Sequence, residues 1–551
     1  MKTNNEEAKI YKWKCTVCGE IIEGTEPPES CPVCGVGPEM FVKVEEKEEK
    51  AEPRKESNNI YKWKCTVCGE IIEGAEPPES CPVCGVGPEM FVKVDENNEK
   101  SEPKKETSSI YKWKCTVCGE IIEGTEPPES CPVCGVGPEM FVKVEEPSSK
   151  EEKIKLNKDE KIVIIGASGA GMGAAVEIRK RNKKCELTII SKEDVKGYYR
   201  PQLSKMLSND SVDIESMTIR DDEWFEDNKV KLLLDKVVEK IDTDNKKVVL
   251  EDGEVISYTK LIIASGAEVF VPPFAGKEKE GVFTLRYAKD GRAIKEYAKD
   301  KKTGAVIGGG VLGLEAANEL RNLGLKVTVV EVADRILPRQ LDSDASTILE
   351  DIVKKAGVTF KKGVGTKEIL GDRSVKGILL DNGETVDAEV VIVSTGVKAN
   401  SKIAENCGID IKRSIVVNEK METTVKDVYA CGDCAEHNGI NYALWSEAIE
   451  QGKTAGINAT GGSYTYETII PSTTLNAFNS SVFSIGDVGS DPSVEYEVYE
   501  EFDSKNYKKL YFKNNALSGG ILIGDISKTV ILIEGFEKSK SMEEMIEKIK
   551  S

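Results

Sequence analysis

KIVIIGASGAGMGAAVEIRK (161–180) and GAVIGGGVLGLEAANEL (304–320) decide the fold of this 551-residue chain. Each reads as a short β-branched run, a glycine turn and a helix, the pattern of a βαβ unit on a parallel sheet. In the first, Gly166 permits the turn, Gly171 lets the helix pack close to the strand, and the amides at the helix start can hold a pyrophosphate. Ser168 stands at the middle position, where glycine is usual, and weakens that match slightly. In the second, Gly308, Gly310 and Gly313 fill all three positions. Each unit leads to another strand with an acid at its end. ELTII precedes Glu193, with Asp194 adjacent and the choice between them open, and VTVVE ends on Glu331. A carboxylate at Glu331 accepts a ribose diol and repels a 2′-phosphate, which predicts NADH over NADPH. One such glycine motif alone is weak evidence. Two of them, each with its own βαβ context and terminal acid, are much stronger.

Upstream, residues 10–44, 60–94 and 110–144 are nearly one sequence repeated at a period of 50, differing only where Ala75 replaces Thr25 and Thr125. Each copy holds two Cys-x-x-Cys pairs: Cys15, Cys18, Cys31 and Cys34; Cys65, Cys68, Cys81 and Cys84; Cys115, Cys118, Cys131 and Cys134. Two residues between cysteines let one tight turn aim both thiolates at one ion, and two turns complete a tetrahedral sulfur cage for iron or zinc. Gly19 and Gly35, which follow the pairs, let backbone N–H groups point at the sulfurs. A module this small buries too little apolar surface to fold alone, so metal binding is expected to supply about 10 kcal/mol of its folding free energy. The segments 45–59 and 95–109, rich in Glu, Lys, Ser and Pro, read as linkers with a typical span of roughly 20 Å.

Spacing leaves iron and zinc open. YKWKCTVCGEIIEGTEPPESCPVCG (11–35) resembles the short rubredoxin domain of rubrerythrins, with Tyr11, Trp13 and Phe41 in its small aromatic core. That resemblance implies one iron per module, cycling between ferric and ferrous. Residues 160–460 resemble the flavoprotein family with two dinucleotide-binding domains, which implies FAD on the first and NAD on the second. ASG (Ala264, Ser265, Gly266) stands at the family's first FAD crossover, and STGVKAN, with Gly396, marks the return from the NAD domain. TTVKDVYACGDCAE, with Gly432 and Asp433, matches the segment whose aspartate bonds the ribityl chain. LWSEAIEQGKTAG (444–456) resembles the helix whose N-terminus faces the flavin pyrimidine. YYRPQLSK (198–205), with Arg200 and Pro201, points to the subgroup of rubredoxin reductases, nitrite reductase flavoprotein segments and apoptosis-inducing-factor-like reductases. In that subgroup Lys205 and Glu315 are implied to pair beside the flavin and help position nicotinamide.

The absences matter equally. Glutathione-reductase relatives carry a cysteine pair after the first glycine loop and a C-terminal His-Glu pair, and neither is present. The only histidine is His437. The single cysteine that coenzyme A disulfide reductases use near the RPQLSK position is also missing, which disfavours dithiol chemistry at the flavin. Cys431 and Cys434 lie inside the FAD segment and read as packing residues, and Cys185 and Cys407 as structural thiols. With 96 acids against 76 bases the net charge is −20, which opposes nucleic acid and anionic membranes. No apolar run approaches the roughly 20 residues that cross a bilayer. Met1–Ile10 lacks the basic and apolar regions of a secretory signal, so a cytoplasmic setting is expected.

The expected fold class is multidomain: three small metal-centred, β-rich, zinc-ribbon-like rubredoxin modules, then α/β FAD and NAD Rossmann-like domains and a C-terminal α+β domain. The expected boundaries are 160–275 with 390–460 for FAD, 276–389 for NAD, and 461–551 for the C-terminal interface domain. The implied function is an NADH-dependent oxidoreductase passing electrons through FAD to the tethered irons. From there they reach acceptor proteins such as rubrerythrin, superoxide reductase or flavodiiron protein, in peroxide or oxygen detoxification. Two rivals stand beside it: zinc ribbons serving as interaction modules on a flavin reductase, and a flavin that itself reduces oxygen or peroxide. The sequence does not choose the acceptor or the oligomeric state.

Overall fold

The computed structural model describes residues 11–15, 21–28, 38, 41–43, 61–65, 71–74, 78, 91–94, 111–116, 121–131, 136–144, 159–468, 470–503 and 505–550. The chain divides into two compact units, Met1–Lys105 and Glu106–Ser551. The first holds two copies of a three-stranded antiparallel sheet, and the second holds the third copy with everything downstream. In all three copies the first strand is central, and its terminal cysteine pairs in register with a phenylalanine: Cys15 with Phe41, Cys65 with Phe91, Cys115 with Phe141. Near-identical sequence therefore gives identical register. The expected linkers 45–59 and 95–109 lie outside the described residues.

The two glycine motifs each open a five-stranded parallel sheet. Strand β1 (Lys161–Ile165) is central in the first, flanked by Glu186–Ile190 and Lys260–Ile263, with Val230–Leu233 and Val428–Ala430 at the edges. Strand β2 (Thr303–Ile307) is central in the second, between Lys326–Glu331 and Val390–Val393. Both strands are buried along their β-branched runs, as a parallel sheet covered on both faces requires. Each sheet carries a small antiparallel three-stranded meander, at 238–257 and 366–387. The antiparallel pair Ala267–Val269 and Val397–Ala399 links the two crossings of the chain.

Helix α1 (Gly169–Arg181) follows β1, α2 (Val311–Asn322) follows β2, and α3 (Trp445–Ala459) packs across α1. That crossing is close because its contact residues are small. A Cβ on Gly452 would lie 2.0 Å from the Ala170 carbonyl oxygen, and one on Gly456 would lie 2.5 Å from that of Ala174. The C-terminal part is a five-stranded antiparallel sheet in the order 472–477, 480–486, 516–523, 507–513, 497–502. Helix α4 (Thr529–Glu537) and a final helix, Met542–Lys550, cover it through Leu532, Met545 and Ile549. Among the described residues no helix is long and apolar enough to cross a membrane.

Candidate functional site: one cavity shared by two glycine loops

At β1 the chain leaves the sheet through Gly166, whose φ is +111° and whose missing side chain leaves room for the Ala264 carbonyl oxygen, 2.1 Å from where a Cβ would sit. Gly308 repeats this at β2, with φ +117° and the Ser394 carbonyl oxygen at the same 2.1 Å. Gly171 and Gly313, one turn into their helices, would place a Cβ 1.8 Å and 2.1 Å from the Gly166 and Gly308 carbonyl oxygens. Both loops are thus steric copies built from the same residue requirement. The middle position behaves differently. Ser168 and Gly310 are both helix N-caps in extended backbone, at φ −87° and −80°, a conformation any residue adopts. Serine at 168 therefore imposes no backbone cost.

Between the loops lies a cavity of about 630 Å³. Its walls include Gly166, Ser168, Glu193, Arg200, Pro201, Lys205, Ala264, Ser265, Gly266, Gly310, Glu315, Gly396 and Asp433. Gly171, Gly308, Gly313, Glu331 and Gly432 are not among its wall residues. Gly432, at φ +74°, presents its amide to Gln451 Oε1 at 2.9 Å.

The acids are held in place. Glu193 accepts from Arg200 Nη2 at 2.7 Å, Tyr198 OH at 2.9 Å and the Ala288 amide at 3.1 Å. Asp194 is exposed and pairs instead with Arg292 at 3.0 Å, so Glu193 is the acid at the cavity. Glu331 accepts from the Gly309 amide at 2.5 Å and the Ala333 amide at 2.8 Å, which fixes its carboxylate against the second glycine loop. Asp433 Oδ2 pairs with Arg286 Nη2 at 2.7 Å. Ser265 Oγ donates to the Asn400 carbonyl at 2.8 Å, tying the first crossing to the return segment.

Lys205 and Glu315 both border the cavity. Among the described residues no ion pair joins Lys205 to Glu315. Glu315 accepts instead from Ser204 Oγ at 3.0 Å, because Ser204 and Lys205 sit at the start of a short 3₁₀ turn, Lys205–Leu207, and the serine is the residue in reach. Burial pushes the Glu315 carboxyl up to about 7; the Ser204 hydrogen bond and the Lys205 charge oppose this, and the Glu319 charge adds to it. The folded chain therefore binds a proton at Glu315 that the unfolded chain, near 4.5, has lost. That contribution to stability is present at low pH and declines as pH rises from about 4.5 through about 7. Replacing Glu315 with Gln is expected to remove this part of the decline when flavin-free protein is melted across that window.

Sequence reasoning missed several wall residues. Arg286 and Tyr287 sit between a strand and the helix Ala288–Ala298 in no recognisable motif. Ser472, Thr473, Thr474 and Asn476 reach the cavity from the C-terminal sheet. Leu444, Trp445, Ser446 and Ala448, in the segment the resemblance already placed facing the flavin, bring the N-terminal end of α3 to it, and that end's partial positive charge favours an anionic ligand group. The Trp445 indole N–H is buried without an acceptor, a group that a ligand acceptor atom would satisfy. Cys431 and Cys434 are buried and outside any disulfide. Cys434 Sγ donates to the Ile263 carbonyl at 3.3 Å, and burial pushes both thiols up, which keeps them neutral packing groups.

A long cavity joins two dinucleotide loops, with the RPQLSK segment and an aspartate ion pair along it. The pyridine nucleotide-disulphide oxidoreductase model matches residues 160–452. The chain belongs to this family. Further matches are the rubredoxin NAD+ reductase C-terminal domain at 471–540 and the rubrerythrin rubredoxin-like domain at 13–42, 63–92 and 113–142. This member joins the family's reductase part to three rubredoxin-like domains. The NADH-rubredoxin oxidoreductase of Clostridium acetobutylicum is 34% identical over 70% of this chain and 97% of its own. Its crystal structure superposes with a TM-score of 0.61 over the same shares, at 32% identity. A nitrite reductase [NAD(P)H] of Bacillus subtilis is 36% identical over 70% of this chain and 48% of its own. The assimilatory nitrate reductase electron transfer subunit of the same organism is covered to 50%, so the chain spans about half the length of these two relatives.

The cavity's donor set, made up of the glycine loops, the α3 N-terminus and the orphan Trp445 donor, fits an anionic dinucleotide. In the third module Cys115 and Cys131 are buried at 0% and 2% exposure, and the Cys131 amide donates to the Val136 carbonyl at 2.7 Å. Cys15 and Cys65 end their strands in the matching position. Cys18, Cys31, Cys34, Cys68, Cys81, Cys84, Cys118 and Cys134 lie outside the described residues.

Proposed function

We propose that the chain is an NADH:rubredoxin oxidoreductase with its acceptors attached, taking hydride from NADH and passing electrons through FAD to three tetrathiolate irons and then to external redox proteins. One observation supports this above others: a single cavity is bordered by both glycine loops, so a nicotinamide and a flavin ring can meet within it. The bound flavin supplies the conversion between a two-electron hydride and one-electron acceptors. The chain's own residues bind and orient. The loops at Gly166 and Gly308 admit the two pyrophosphates, with Ser168 and Gly310 at the helix starts. Glu193 and Glu331 accept adenosine ribose hydroxyls, and Asp433, held by Arg286, takes the ribityl chain. Arg200, Pro201, Ala264, Ser265, Gly266, Gly396 and Gly432 shape the flavin's bed. Lys205 and the Ser204–Glu315 pair position the nicotinamide. No side-chain acid or base is needed for hydride transfer, which agrees with the single histidine.

The rubredoxin-like family of the three modules favours iron over zinc, and a cytoplasmic role in peroxide or oxygen detoxification, serving rubrerythrin, superoxide reductase or flavodiiron proteins, follows from the same reading. Metal analysis and the visible spectrum of the isolated protein test it: about three irons per chain with a ferric thiolate band agree. Colourless modules holding zinc would favour interaction ribbons on a diaphorase.

Coenzyme choice is separately testable. Val332, beside Glu331, is 75% exposed, so an arginine fits there without displacing anything. Glu331→Ala combined with Val332→Arg is expected to move the kcat/KM ratio from NADH towards NADPH by at least about 100-fold, since repulsion of the 2′-phosphate is exchanged for attraction.

A further inference from the structure

The third module is packed on the flavin domain. A contiguous apolar cluster joins its Cys115, Cys131, Val136, Met140 and Phe141 to Tyr199, with Trp113 and Ile122 of the module and Ile219, Trp445 and Ile526 of the reductase against it. Met140 is fully buried, and the 3₁₀ turn carrying it, Pro138–Met140, meets α4. Tyr199 and Trp445 form an aromatic pair with centroids 6.2 Å apart. Trp445 belongs to two environments at once: it borders the dinucleotide cavity and also packs against this cluster. Two of the module's four cage cysteines therefore share an apolar wall with the site where the flavin is expected.

We propose that the third module is the built-in first electron acceptor, docked over the flavin face through the Tyr199–Trp445 pair, so that external oxidants draw electrons from a module rather than from the flavin. This rests on the functional reading above. Each NADH oxidised to NAD+ releases one proton and two electrons. With iron held by its cysteines, the docked module would accept one electron, pass it to a one-electron oxidant (another ferric module or an external protein), and then accept the second. Tyr199 and Trp445 act as positioning residues. Their packing holds the cage against the cavity wall, and neither needs to change oxidation state.

The full-length iron-loaded protein tests this with Ile526→Glu and, independently, Ile219→Glu, neither of which borders the cavity. A half-buried carboxylate at this apolar interface is expected to lower its occupancy at least about tenfold. In the unaltered chain, anaerobic mixing with NADH should bleach about one third of the ferric absorbance in a fast phase, and amides of 136–144 should be protected from hydrogen exchange. Both variants should slow the fast phase about tenfold and lose that protection while NADH still bleaches the flavin at the original rate. Unchanged bleaching and protection in both variants would overturn the docking. An isolated chain with no ferric band would overturn the functional reading and the electron-acceptor half of this proposal, whereas the change in amide protection at 136–144 between the unaltered chain and the two variants still decides the dock by itself.

Discussion

Gly166→Ala is expected to yield a chain purified without flavin and unable to regain it. The new methyl would meet the Ala264 carbonyl oxygen at 2.1 Å in a backbone with φ +111°. The obstacle is backbone in the adjacent strand-end crossing, with no flexible side-chain tip to yield. An unfavourable φ costs about 1–2 kcal/mol and overpacking about 1–3 kcal/mol, and both fall on the loop that receives the pyrophosphate. Gly310→Ala is the control, because a Cβ there meets nothing within 4 Å. That variant should keep its flavin and show chiefly a raised KM for NADH. Bound flavin per chain, read from the visible spectrum after purification and again after incubation with excess FAD, checks both.

Metal removal is expected to have the second largest effect. Each module is a three-stranded sheet of very short strands, and its folding is expected to draw about 10 kcal/mol from a thiolate cage. Chelation under reducing conditions should unfold the modules while the two parallel sheets, with their own large cores, stay folded. Limited proteolysis reads this directly: cleavage spreading through residues 10–144 with a stable fragment beginning near residue 159. Survival of intact modules after complete metal loss would show that they fold without the cage.

The parts of this molecule written locally were readable beforehand. Gly171 and Gly313 are dictated by contacts within one βαβ unit, and Gly166 and Gly308 by the positive φ of the turn itself, so spacing alone placed them. The repeat register was equally plain, because identical sequence repeats identical pairing. Contacts between distant residues left no pattern. Arg286 meets Asp433 across 147 positions, the Ser472–Asn476 strand enters the cavity from another sheet, and Tyr199 and Trp445 receive the third module by tertiary packing. Lys205 and Glu315 were placed in one neighbourhood by resemblance, yet the hydrogen bond itself belongs to Ser204, since side-chain reach depends on the 3₁₀ turn and not on the motif.

Anaerobic stopped-flow mixing of the isolated holoprotein with NADH, following flavin and ferric thiolate absorbance separately, tests the central claim most directly. Flavin bleaching followed by loss of the ferric band within the same turnover is the predicted result. Flavin bleaching with a ferric band that persists would contradict it.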